Sequence, residues 1–77
     1  MQLSSMRIGS KGRILKIKSG EKVYRQRLLS MGLLPQTEFE VARIAPLGDP
    51  IEILVRGFAL SLRKDEADIL EIEEVTA

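Results

Sequence analysis

The 77-residue chain contains no histidine and no cysteine. Those absences remove the commonest general base, the thiol nucleophile and both soft metal ligands at once, so neither acyl transfer nor a tight transition-metal site is expected. What remains in quantity is carboxylate, with Asp65, Glu66, Asp68, Glu71, Glu73 and Glu74 crowded near the end of the chain. Oxygen ligands suit hard cations. These six, however, fall in a polar turn and along an alternating strand, without the fixed spacing of a calcium loop, and read as solvated surface. No apolar pocket is evident that would raise one carboxyl pKa above another for paired acid and base work. Gly9-Ser10-Lys11-Gly12-Arg13 holds two glycines and a lysine, but it matches neither a P-loop nor a dinucleotide fingerprint, and its strand follows the glycines instead of preceding them. It reads as a flexible lead-in to that strand. The expectation is no catalytic residue, no cofactor, no resident metal and no enzyme.

The elements that would position any functional surface are short. Arg13–Lys18 alternates imperfectly and reads as a strand, and Ser19-Gly20-Glu21 is turn chemistry. From Lys22 the period changes: Tyr24, Leu28 and Met31 fall on one face of a helix that Ser19 or Gly20 could begin, with Lys22, Arg25 and Gln26 outward. Gly32 can take the left-handed conformation that closes it, Leu33 can fold back onto the last turn, and Pro35 forbids continuation. Thr37–Ile44 alternates cleanly, with Phe39 and Val41 inward. Pro50–Arg56 and Phe58–Arg63 form a hairpin across Arg56-Gly57, with Ile51, Ile53, Val55, Phe58, Leu60 and Leu62 inward. Lys64–Asp68 is a helical or 3-10 turn, and Ile69–Val75 is a last strand carrying Leu70 and Ile72. Five short strands and little helix, with 44% hydrophobic residues, suffice for one thin core. The expected fold is all-β with short helices, a small SH3-like five-stranded barrel forming a single domain over residues 1–77.

Charge is polarised along the chain although the net is only +1. Up to Pro35 eight basic residues oppose Glu21 alone, and from Gln36 onward ten acidic residues oppose four basic ones. Either the protein has a basic and an acidic face, or the halves interleave in space and neutralise one another. Basic small barrels do bind nucleic acid, but Phe39 and Phe58 are read as inward and Tyr24 as lying on the helix's apolar side, leaving no aromatic to stack on a base. No apolar run approaches the length of a membrane-spanning helix, no leader-like segment opens the chain, and a small domain without cysteine suits a reducing compartment. The expected location is the cytoplasm.

Three blocks, "YRQRLLSMGLLP", "APLGDPIEI" and "LSLRKDEADILEI", occur in an order and spacing that resembles the FeoA family of bacterial ferrous iron uptake, over about Gly12 to Val75. That resemblance implies an SH3-like barrel and an accessory role toward the ferrous iron permease FeoB, docked on its cytosolic side, with recruitment to the inner face of the membrane through that partner. In one place the chain departs from the family pattern, which commonly has Pro-Gly after the helix where this sequence has Pro35-Gln36. Gln36 then either bears strain in a type II turn or adopts a type I turn. The alternatives kept open are a nucleic-acid-associated barrel and a stand-alone relative of the barrel domain of metal-dependent repressors; self-association is also open.

In an accessory role the stretch Ala45–Pro50 stands out. Pro46 and Pro50 fix their own φ, Gly48 permits a reversal, and the Asp49 carboxylate can accept from backbone N–H groups, so the loop is ordered before it meets a partner. Leu47 is its apolar tip, either exposed for a partner's pocket or folded back over the open end of the barrel. Arg25 and Arg27 on the helix and Arg63 after the hairpin are candidate charge contacts. The expected partner-binding set is therefore Arg25, Arg27, Pro46, Leu47, Asp49 and Arg63.

Overall fold

The imperfect alternation of the first strand has a structural cause. In the computed structural model, which describes residues 1–75, β1 (Lys11–Ile17) pairs along its length with β5 (Leu70–Val75), and the register slips between Ile14 and Lys16. Leu15 is the extra residue of a β-bulge, so Ile14 and Ile17 both turn inward although three positions separate them. A second bulge, between Val41 and Arg43, does the same for Val41 and Ile44 in β2 (Glu38–Ile44). β1 pairs with β2 from Lys11↔Glu40 to Arg13↔Glu38, and single backbone bonds run on beyond the ladder at either end, from the Val41 N–H to the Ser10 carbonyl and from the Ile14 N–H to the Thr37 carbonyl, each at 2.9 Å. With β3 (Ile51–Val55) and β4 (Phe58–Leu62) the strands run antiparallel in the order β4-β3-β2-β1-β5. The expected barrel is present as a rolled sheet whose two end strands are bridged by a short helix, α2 (Lys64–Ala67), with no ladder between them among the described residues.

The longer helix, α1 (Lys22–Ser30), lies in the β1–β2 connection and begins at Lys22, later than Ser19 or Gly20, with Glu21 before it supplying no side-chain cap. Its end follows the sequence signal. Gly32 takes φ 83°, its N–H donates to the Leu29 carbonyl at 3.0 Å, and the Leu33 N–H donates to the Leu28 carbonyl at 3.1 Å. That is a Schellman closure, and the fully buried Leu28 and Leu33 supply the apolar contact that accompanies it. Pro35 and Gln36 then turn the chain. Gln36 sits at φ 76°, the strained alternative of the two expected, with the Thr37 N–H donating to the Leu34 carbonyl at 3.1 Å. The Gln36 N–H donates to the Ile14 carbonyl at 2.6 Å, so β1 holds the strained residue in place.

The core lies inside the roll: Ile14, Val41, Ile51, Ile53, Leu62, Leu70 and Ile72 meet Leu28 and Leu33 from the α1 side. Three expectations need correcting. Gly12 belongs inside β1, not before it, because it faces Phe39 across the β1–β2 ladder; a Cβ there would lie 2.6 Å from the Phe39 ring. Only a glycine lets the ring lie flat on the strand. Phe58 is 72% exposed, not inward. Its register partner is the buried Val55, but Phe58 stands at the turn end of an end strand, beyond the reach of the core. Last, the lead-in read as flexible is tied down: the Gly9 N–H donates to the Val41 carbonyl at 2.7 Å and the Ser10 carbonyl accepts from the Val41 N–H at 2.9 Å. Leu3, in a 3-10 turn over Leu3–Ser5, and Met6 are buried in the core, and the Met1 carbonyl accepts from the Ile72 N–H at 3.2 Å beside β5.

Candidate functional site

The Ala45–Pro50 connection between β2 and β3 is fastened at three points. The Gly48 N–H donates to the Ala45 carbonyl at 2.7 Å and the Ala45 N–H to the Pro50 carbonyl at 3.1 Å, so the loop is closed on itself. Its third tie is remote: the Lys64 N–H donates to Asp49 Oδ1 at 3.0 Å, which anchors the loop to the first turn of α2. A carboxylate there satisfies an orphan helix N–H and complements the helix dipole. Between these ties Leu47 is 96% exposed. Of the two readings open for it, the cap over the barrel end is therefore not the one adopted; the side chain reaches into solvent from a pinned backbone.

α2 gathers more of the expected residues. Glu66 is buried, 3% exposed, and spends its two oxygens in different directions. Oε1 accepts the Arg63 N–H at 3.0 Å, capping α2, and Oε2 pairs with Arg27 Nε of α1 at 2.8 Å. Arg27, Asp49, Arg63 and the loop are thus joined around one helical turn. Arg25 is elsewhere. It is not outward but half-buried against the end of β1, donating through Nη1 to the carbonyls of Ile17 at 3.2 Å and Lys18 at 3.0 Å. Both helix arginines hold the fold together, a duty that residue type and helical spacing alone could not reveal, since their acceptors come from distant or non-helical segments. Pro46, Leu47 and Arg63 stay exposed.

Elsewhere the two charge halves interleave. Arg13 of β1 pairs with Glu73 of β5 at 2.8 Å and with Glu38 of β2 at 3.3 Å, and Lys18 with Glu71 at 3.7 Å. The hydrogen bonds to Glu38 and then Glu73 push the Arg13 pKa up from the usual arginine value. An open depression of about 320 Å³ lies between Lys11, Glu38, Phe39, Glu40, Leu54 and Gly57. It brings together no nucleophile and base. Among the described residues no group of three His, Cys, Asp or Glu side chains could hold a metal ion, and no helix is long and apolar enough to cross a membrane.

A rolled five-stranded antiparallel sheet with short helices defines the class: a small SH3-like domain. The chain belongs to the FeoA domain family, whose model matches residues 1–74, and the members of this ferrous iron transport family are non-enzymatic accessory proteins. A FeoA-like protein from Clostridium acetobutylicum, solved by NMR, is 35% identical, with all of this chain and 88% of that one covered, at a TM-score of 0.88. The FeoA of Stenotrophomonas maltophilia, described as a procaryotic SH3 domain protein and solved with zinc, superposes at a TM-score of 0.81 over 95% of this chain and 89% of its own; at 20% identity it speaks to the fold. A Porphyromonas gingivalis Fe(2+) transport protein A/Fe(2+) transporter FeoB fusion protein is 31% identical over 77 residues. This chain spans 9% of the length of that fusion protein.

Proposed function

We propose that the protein is an accessory component of ferrous iron uptake that docks on the cytosolic side of a FeoB-type permease and supports its activity. The observation that carries the docking reading is Leu47, exposed to 96% at the tip of a loop tied through the backbone of Ala45, Gly48 and Pro50 and through the Asp49 carboxylate. A loop already ordered loses little entropy on association, and burying one leucine in a partner contributes about 1.5–3 kcal/mol. The partner is supported by the fusion relative, in which a homologous segment and a FeoB transporter share one polypeptide. Arg63 beside the loop supplies a charge contact at its rim. On this reading the protein works in the cytoplasm, at the inner face of the membrane, and ferrous iron is the cargo of the permease.

The test is a titration of the purified protein against the cytosolic part of the permease, with Leu47→Asp as the variant. Loss of binding with an unchanged melting temperature is the expected result. Equal binding by the variant would remove the loop from the interface. The nucleic-acid alternative loses support from the interleaved charges and makes a separate forecast: retention on heparin at physiological salt, which the permease reading does not expect.

A further inference from the structure

The rolled sheet has two end strands, and they are treated differently. Beside β5 the Met1 carbonyl takes the Ile72 N–H, while the Met1 amine lies 3.5 Å from Glu71 Oε1. β4 pairs with β3 in unbroken register from Ile51↔Leu62 to Val55↔Phe58, and nothing among the described residues pairs with its other side. Arg56 at φ 51° and Gly57 at φ 84° make the two-residue turn that closes this hairpin, so Val55 and Phe58 form its first hydrogen-bonded pair. Strict alternation then directs the N–H and C=O groups of Ala59 and Ser61 away from β3, toward the free edge.

Natural edges are blunted by lysine, proline, bulges or covering segments. Phe58–Leu62 carries none of these: it is uncharged and regular, with Phe58, Ala59 and Ser61 exposed. The charges stand at its ends. Arg56 precedes the strand and Arg63 and Lys64 follow it, and none of the three is in an ion pair among the described residues. A second copy is a poor occupant. An antiparallel two-fold pairing that matches Ala59 to Ser61 brings the Arg56 end of one copy to the Arg63-Lys64 end of the other, and like charges gathered at both ends of the pairing repel. An extended segment with acidic residues at its two ends meets every feature.

We infer that the free edge of β4 is a strand-addition site for an extended, acid-flanked peptide segment of a partner protein, bonded through the backbone of Ala59 and Ser61 and selected by Arg56, Arg63 and Lys64. The site adjoins the Leu47 loop and shares Arg63 with its rim, but its bonds are made by the backbone of Ala59 and Ser61, so it stands whether or not the Leu47 tip meets the permease.

The probe is a blocked synthetic peptide, Glu-Thr-Val-Thr-Val-Glu, titrated into ¹⁵N-labelled protein, with the same peptide carrying Lys for both Glu as its counterpart. Amide shifts centred on Ala59 and Ser61 are expected, with at least tenfold weaker binding of the lysine peptide. Ser61→Pro removes an outward N–H without touching the β3 ladder and should abolish the shifts, while Ser61→Ala keeps them. Should Ser61→Pro not fold, the double variant Arg56→Glu/Arg63→Glu tests the same claim, since its preference should swing to the lysine peptide. Absence of binding, shifts centred elsewhere, equal affinity for both peptides, or undiminished binding by Ser61→Pro would each overturn the site. Concentration-dependent dimerisation abolished by Ser61→Pro would reassign the edge to a second copy.

Discussion

Among the six residues expected to meet a partner, the structure separates anchors from tips. Arg27 holds the buried Glu66 carboxylate at 2.8 Å, so Arg27→Ala leaves a desolvated charge with one backbone N–H and should lower stability by about 1–3 kcal/mol in a denaturant titration. Arg63, exposed and outside any ion pair of the described residues, should change stability by less than about 0.5 kcal/mol when replaced by Ala. The side chains of such a pair look alike in the sequence; only the tertiary acceptor tells them apart. Phe58 teaches the same lesson in reverse. Alternation placed it on the inner face, which its pairing with Val55 respects, but facing inward at the tip of an end strand is not burial. Gln36 was legible as a conflict, since a proline-led turn after a helix wants glycine next, and its φ of 76° shows how the conflict is resolved. Gln36→Gly should raise stability by up to about 1 kcal/mol, the cost of the left-handed region for a side chain, and would be read from a shift in the midpoint of urea unfolding.

At the scale of elements, what could be read were signals complete within a few neighbouring residues. Met31-Gly32-Leu33 spells the Schellman end of α1, and Arg56-Gly57 between alternating runs spells the hairpin; both form as read. The bulge at Leu15 was visible only as a lapse in alternation and the one near Ala42 lay unseen in a run read as clean, because a bulge is defined by the partner strand it slips against. The Ala45–Pro50 loop is intermediate. Its stiffness follows from its prolines, but its fixed position comes from the Asp49 bond to the Lys64 N–H, fifteen residues away. Asp49→Asn keeps an acceptor and should melt within a degree or two of the parent. Asp49→Ala should cost about 0.5–1.5 kcal/mol and raise hydrogen exchange at the Lys64 amide, whose acceptor among the described residues is removed.

In the whole molecule, Arg13, Lys18 and Arg27 of the basic half pair with acidic residues of the other half. β1 lies between β2 and β5, so Arg13 is flanked by Glu38 and Glu73 and no continuous basic face develops around it. These exposed pairs contribute little, and the melting temperature should move by no more than a few degrees between low and high salt. The thin core is completed by residues that local pattern did not mark: Leu3 and Met6 are isolated apolar side chains in a polar stretch, yet both are buried. Among the described residues Leu47 is the most exposed large apolar side chain. The direct test is the affinity of the cytosolic part of the permease for the parent protein and for Leu47→Asp, measured by calorimetry beside the melting temperature of each. Docking through the loop predicts a loss of at least tenfold in affinity with melting unchanged to within a degree; equal affinities, or a variant that binds less only because it has unfolded, would contradict it.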